Sequence, residues 1–250
     1  MGDILIIITL GLCAGFTGPF TASSALLIIP VLIFLGFPPH EALALNIFAS
    51  FISWIIISLK LNTEENVKWK LVPPLVILSM FGAFIGASIV MKTDSETMGM
   101  IVGVLMIVIV LILVLKKDIG AKGFVPSKKR IRMGMVLYTL GSIYSGFFAG
   151  GAGIILRTVN LTFFGFTIPQ SAATGGILWV MMAGVISTVY AVNGYLSADN
   201  LLYTAVLTAS MSLGSYFGAK YMLKANVVLL KKIFMATILC FGVMLLYKLT

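Results

Sequence analysis

The chain has 250 residues, of which 60% are hydrophobic and only 10% are charged. A water-soluble protein carries about 25% charged residues, so this composition excludes a soluble domain and predicts helices surrounded by lipid. The net charge of +9 lies in the loops between apolar runs, as membrane topology requires, and gives no support to nucleic-acid binding.

The first half of the chain is predicted to contain one long apolar segment and then three spans. A straight helix over residues 4–36 would run about 50 Å, well beyond a bilayer core of about 30 Å. We therefore predict a hairpin whose helix is broken near Gly15–Gly18. Residues 40–59, 71–91 and 97–115 follow, and each is long enough for one crossing at about 20 residues.

The second half is predicted to repeat this design after a basic linker. Residues 117–130 form the linker, and residues 133–165 form a second long segment with a break near Gly150–Gly153. Three more spans are predicted at 171–192, 201–219 and 233–247. The predicted division is a first transmembrane repeat at 1–116, a cytoplasmic linker at 117–130 and a second transmembrane repeat at 131–250.

Local sequence matches support this duplication. "AGFTG" at 14–18 matches "SGFFAG" at 145–150, and "GFPPHEA" at 36–42 matches "GFTIPQSA" at 165–172. "FGAFIGA" at 81–87 matches "LGSYFGA" at 213–219, again about 130 residues later. Matches in one order at nearly one offset indicate two related halves.

The distribution of Lys and Arg favours inverted halves. If each long segment enters and leaves on one side, 14 of the basic residues outside the apolar segments share a side and two lie opposite. Single crossings would divide them 11 to 5, which obeys the positive-inside rule less well. We predict an all-α polytopic membrane protein of two inverted repeats, each a broken-helix hairpin plus three transmembrane helices, with both termini outside.

The repeated motifs resemble those of the sulfite exporter (TauE/SafE) family of membrane permeases. The first copy has Gly15, Phe16, Gly18, then Ser23-Ser24-Ala25 where the family has glycines, then Pro30 and "GFPPHEA". The second copy has Gly146, Phe147, Gly150, Gly151 and Gly153 before "GFTIPQSA". The resemblance covers nearly the whole chain and implies transport of small anions, commonly sulfite or organosulfonates.

Arg157 is the strongest single candidate for a substrate-binding residue. It lies four residues beyond Gly153, in a segment otherwise free of charge. An arginine within the membrane costs roughly 2.5–3.5 kcal/mol on insertion scales, so it tends to be functional and to face a cavity. Its planar fork of donors suits an oxyanion. The alternative is that Arg157 extends to the lipid headgroups.

The two predicted breaks are the second candidate. A half-helix that begins after Gly150, Gly151 and Gly153 would direct free N–H groups at the membrane centre, which favours an anion. Thr21, Ser23 and Ser24 are predicted to form the matching tip in the first half. The alternative is that these glycines only allow close helix packing.

Polar side chains on helix faces complete the predicted site. Asn46, Ser50 and Ser53 share one face of the second segment, and Asn160 shares the face of Arg157. Thr174 begins the equivalent helix of the second half. Ordinary hydrogen bonds between helices are the alternative role for all of them. Trp54 and Trp179 are expected in the cavity wall or in aromatic core packing.

The predicted function is a secondary transporter of small anions, with sulfite or an organosulfonate as substrate. It would work by alternating access around a site at the membrane midplane. A passive anion channel is the nearer alternative and a membrane scaffold the more distant one. No enzyme, metal or cofactor is predicted, because one histidine and no acid within a span leave nothing for such chemistry. The expected partners are a small anion and the bilayer of the cell membrane, with a homo-oligomer left open.

Overall fold

The computed structural model of the protein describes residues 2–21, 23–61, 66–115 and 123–221. These ranges are helical and contain no strand. The helices are α1 (Gly2–Thr21), α2 (Ala25–Phe34), α3 (Pro39–Leu61), α4 (Val72–Val90), α5 (Ser95–Leu115), α6 (Lys128–Phe147), α7 (Ala152–Thr162), α8 (Ile168–Val192) and α9 (Leu201–Tyr221). The predicted all-α polytopic class is confirmed.

Four of the described helices, namely α1, α3, α4 and α8, are long and apolar enough to cross a membrane. The spans predicted at 40–59, 71–91, 97–115, 171–192 and 201–219 coincide with α3, α4, α5, α8 and α9. The span predicted at 233–247 and residues 117–122 of the linker lie outside the described residues.

The second predicted break lies close to its expected place, whereas the first does not. Helix α6 ends at Phe147 and α7 begins at Ala152. Residues 148–151, which include Gly150 and Gly151, are therefore not helical. In the first half, α1 continues through Gly15 and Gly18 to Thr21, and α2 begins at Ala25. The prediction of a break near Gly15–Gly18 is therefore wrong.

The reason is that Gly15 serves helix packing. A Cβ atom on Gly15 would collide with the backbone carbonyl of Met211 in α9. Pro19 lies inside α1 and cannot donate the usual hydrogen bond to the carbonyl of Gly15. The Ser215 hydroxyl donates to that carbonyl instead, at 3.4 Å. The helix therefore tolerates both residues and breaks only after Thr21.

Both half-helices, α2 and α7, are followed by a glycine in the left-handed conformation. Gly36 and Gly165 have φ of 98° and 67°, the left-handed conformation that only glycine adopts without strain. In the first half, the N–H of Phe37 donates to the carbonyl of Leu32 at 3.1 Å. A proline then stands within the first turn of the next helix, at Pro39 in α3 and Pro169 in α8. The matching "GF" motifs therefore mark equivalent helix ends.

Helices of each half pack mainly on helices of the other half, and the two sets of contacts match. Helix α1 packs on α9 and α6 packs on α4, while α3 contacts both α8 and α9 and α4 also contacts α8. These pairs map onto each other when α1 corresponds to α6, α3 to α8 and α4 to α9. Both outer interfaces are close, because an added Cβ on Gly86 or Gly146, as on Gly15 or Gly214, would meet backbone atoms of the partner helix.

Helices α3 and α8 run antiparallel. At one end, His40 at the start of α3 stacks on Tyr195, just after α8, with ring centroids 5.1 Å apart. At the other end, the N–H of Lys68, just after α3, donates to the Thr174 hydroxyl early in α8, at 3.0 Å. An inverted repeat requires equivalent helices to run in opposite directions. The orientation of the halves in the bilayer stays a prediction.

Candidate functional site

The two helix breaks meet inside the protein. The backbone N–H of Gly151, at the second break, donates to the Ser23 hydroxyl at the first break, over 2.7 Å. Gly151 has φ of 74°, a conformation that turns the chain sharply into α7. A Cβ on neighbouring Gly150 would lie 2.8 Å from the Leu26 side chain of α2. The broken hairpins of the two halves therefore touch at their tips.

Helices α2 and α7 both begin at this junction. The N–H groups of the first turn of a helix have no acceptor within the helix, and they carry its positive dipole end. The residues that precede these two helices, Ser24 and Gly151, make no side-chain hydrogen bond to them. The positive ends of two helices therefore lie together, an arrangement that favours an anion.

A cavity of about 50 Å³ lies beside the junction. It is bounded by the start of α2 and by α3, α6, α7 and α8. At about 10–15 Å³ for each water, it has room for about three to five water-sized groups. Its lining consists of Ser23, Ser24, Ala25, Asn46, Ser50, Trp54, Tyr138, Ala149, Gly153, Leu156, Arg157, Asn160, Ser171, Ala172, Gly175, Gly176, Trp179 and Met182. No acidic side chain is among these described residues.

Arg157 contributes a positive charge to the cavity wall. Its guanidinium also donates to the carbonyl of Pro19 at 3.2 Å. That carbonyl would normally accept from the N–H of Ser23, but the N–H of Ser23 bonds to the Thr21 hydroxyl instead because α1 has ended. Arg157 therefore contacts the carbonyl end of α1 and links the second hairpin to the first, 138 residues away.

The cavity wall also carries polar atoms with no partner among the residues that the structure describes. Both amide atoms of Asn46, the amide oxygen of Asn160 and the indole nitrogen of Trp179 are buried without a hydrogen bond. The other end of the Asn160 amide donates to the Ser171 hydroxyl at 3.2 Å. An unpaired buried polar atom costs about 1–3 kcal/mol, and buried polar groups almost always have a partner. These atoms mark the cavity as a place for a polar ligand.

Seven of the eleven predicted site residues line the cavity: Arg157, Gly153, Ser23, Ser24, Asn46, Ser50 and Asn160. The other four do not line it, although two lie at the junction. The carbonyl of Gly150 accepts from the Tyr144 hydroxyl at 2.8 Å, and Gly151 bonds to Ser23. Thr21 donates to the carbonyl of Thr17, and Thr174 accepts from the N–H of Lys68.

Position on a helix face explains these differences. Ser53 was expected beside Asn46 and Ser50, but its hydroxyl lies 3.4 Å from that of Ser212 in α9. Thr174 starts the correct helix and faces the loop after α3. The residues of α8 that do reach the cavity are Ser171, Ala172, Gly175, Gly176, Trp179 and Met182. Trp54 and Trp179 both line the cavity.

Sequence reasoning missed Tyr138, Ser171, Gly176 and Met182. Gly176 carried a usable signal, because matching "GFPPHEA" to "GFTIPQSA" places Gly176 opposite Asn46. A Cβ on Gly176 would lie 2.8 Å from the Ser58 hydroxyl of α3, so the glycine lets the two equivalent helices approach at the site. Tyr138 and Met182 lie in apolar runs and had no such signal.

Comparison with known proteins gives one family and one curated relative. The family model described as Sulfite exporter TauE/SafE matches residues 7–245. A Haemophilus influenzae protein with the name "Probable membrane transporter protein" is 22% identical over 232 residues, which is 92% of this chain and 89% of the relative. No solved structure matches the chain.

Proposed function

The chain belongs to the sulfite exporter TauE/SafE family of multi-pass membrane transporters, and on this premise we propose that it is a secondary transporter of small oxyanions. The observation that carries the proposal is the meeting of Arg157 and two helix N-termini without side-chain caps at one cavity. Each of these groups stabilises negative charge, and no acid among the described lining residues opposes them.

The size of the cavity favours a small substrate. Room for about three to five water-sized groups suits sulfite, or the sulfonate group of a short organosulfonate. The hydroxyl of Ser23 accepts from Gly151, so its own proton is available to a ligand. Sulfite is therefore the first substrate to test, followed by short organosulfonates.

Alternating access is the proposed mechanism. The ligand would bind where the tips of the two hairpins meet, and it would contact residues of both halves at once. Asn46 and Ser24 come from the first half, and Arg157 and Asn160 from the second. A rocking motion of one half against the other would then expose the cavity to each side of the cell membrane in turn. In this proposal both termini lie outside the cell and the linker lies in the cytoplasm. The protein is proposed to transport its substrate without chemical conversion.

Flux measurements on the purified protein in liposomes test this function. We expect saturable uptake of labelled sulfite, accelerated by unlabelled sulfite inside the vesicles, because a carrier exchanges substrate faster than it returns empty. Protein-free liposomes give the background. Flux that does not saturate and is not accelerated would instead indicate an anion channel, and flux equal to the background would indicate a scaffold.

A further inference from the structure

Unpaired polar atoms are concentrated at the cavity. Seven buried side-chain atoms lack a partner in the described chain, and four of them belong to Asn46, Asn160 and Trp179. Asn46 and Asn160 are each only 1% exposed. By contrast, Ser50 and Ser171 in the same wall are satisfied, by the carbonyl of Ile47 and by Asn160. Within the described cavity wall, the buried polar atoms without a partner belong to these three side chains.

These atoms include acceptors as well as donors. The indole of Trp179 can only donate a hydrogen bond. Asn46 has both ends of its amide unpaired, so one donor and one acceptor need partners whichever way the amide is placed. One end of the Asn160 amide is also unpaired, and in the placement that bonds its nitrogen to Ser171 this end is an acceptor. A ligand that fits this wall must donate a hydrogen bond as well as accept several.

The charge of the wall limits the charge of the ligand. Arg157 is the charged side chain among the described lining residues, and Tyr138 is the other titratable one. Neither side-chain type ordinarily changes its charge between about pH 6 and pH 8. One positive charge, aided by two helix ends, matches one negative charge. A fully deprotonated dianion also has no donor, so the acceptor of the Asn46 amide would stay without a partner.

We infer that the site selects a monoanion that carries its own O–H or N–H donor over a fully deprotonated oxyanion. This rests on the proposed transport function and specifies its substrate class. Asn46 is the specificity-determining residue, and Asn160 supports it. A hydrogen-bearing oxyanion such as hydrogen sulfite fits, and its transport moves a proton without any membrane carboxylate.

Two isosteric competitors test the requirement for a donor. Glycolate and propionate are monoanions of nearly equal size that differ by a hydroxyl in place of a methyl group. We expect glycolate to inhibit sulfite uptake into liposomes about tenfold more potently than propionate, because it fills the acceptor that propionate leaves unpaired. Equal potency would overturn the inference, while saturable sulfite flux would still support the proposed function.

Substitutions test whether Asn46 and Asn160 cause the preference for glycolate over propionate. In Asn46→Leu, the ratio of the two inhibitory concentrations should fall close to one, with Asn160→Leu as a second variant should the first not fold. Ser79→Ala is the matched control, since Ser79 is buried on α4, bonds to the carbonyl of Val76 and does not line the cavity. It should keep the native ratio. A native ratio in both asparagine variants contradicts the inference.

A pH series supplies an independent measurement. Hydrogen sulfite and sulfite interconvert near neutral pH, so uptake at constant total sulfite should rise as the pH on both sides falls from about 8 to about 6. Uptake that rises toward higher pH would show that the dianion is the substrate. If neither glycolate nor propionate inhibits uptake, the pH series by itself shows whether the monoanion or the dianion is transported. Absence of any saturable flux would overturn the proposed function itself.

Discussion

Arg157 has two roles, one in the cavity wall and one in a contact between the two hairpins. Its guanidinium lies in the cavity wall and also bonds to the carbonyl of Pro19, at the end of α1. A positive group at a helix carboxyl end is stabilised by the dipole, and a guanidinium has the planar geometry that binds an oxyanion. The residue therefore joins the two hairpins at the place where a ligand would bind.

Replacing Arg157 by glutamine should reduce sulfite transport in liposomes by about thirtyfold or more. The reason is that removing one partner of a buried charged contact costs about 2–5 kcal/mol. Arg157→Lys keeps the charge and loses the planar fork, so it should retain an intermediate rate. Arg132→Gln, which removes an exposed arginine of α6, is the control and should transport normally. Native flux in Arg157→Gln would remove Arg157 from the binding site.

At the scale of helices, glycine has two separate functions in this chain. Gly36, Gly151 and Gly165 have positive φ and turn the backbone. Gly15 and Gly146 lie inside helices and allow close contact, with the carbonyls of Met211 and Ala83 respectively. Because α1 packs on α9 and α6 on α4, these contacts hold each hairpin to the opposite half.

Gly146→Ala should therefore lower the thermal stability of the purified protein, and Gly15→Ala should act in the same direction. The added methyl group meets backbone atoms of the partner helix, which cannot rotate away, and overpacking typically costs about 1–3 kcal/mol. Gly184→Ala is the control, because its nearest neighbour is a carbon of the Phe51 ring at 3.4 Å, an ordinary contact. A melting temperature unchanged by Gly146→Ala would contradict this interpretation of the α4–α6 contact.

At the scale of the whole molecule, two observations agree with two inverted halves. The helix contacts between the halves match each other, and α3 runs antiparallel to α8. The loop around Lys68 and the chain at Gly123–Ser127 lie at one end of the molecule, where the N–H of Phe124 donates to the carbonyl of Gly165 at 3.2 Å. His40 and Tyr195 lie at the other end of α3 and α8. The basic residues are concentrated at the end that contains Lys68 and Gly123–Ser127, and we assign this end to the cytoplasm.

Cysteine labelling in intact cells tests this topology. In a background without Cys13 and Cys240, Asn193→Cys should react with a membrane-impermeant maleimide added outside. Val125→Cys, at an almost fully exposed position, should react only after the membrane is opened. Equal labelling of both positions from outside would place the two ends on one side and exclude the inverted arrangement.

Sequence alone determined the solvent, the spans and the family resemblance of this protein, because each depends on local composition or on a short motif. It also identified Arg157, Asn46 and Asn160, since polar residues in apolar helices are conspicuous. Tertiary structure decided the position of the first break, the different surroundings of Ser171 and Thr174, and the lack of partners for both amide atoms of Asn46 and for the amide oxygen of Asn160. These depend on contacts between residues more than a hundred positions apart, such as Ser23 with Gly151 and Pro19 with Arg157, and on the rotation of each helix about its axis. Neither quantity is carried by hydropathy, which measures only how each segment partitions into lipid.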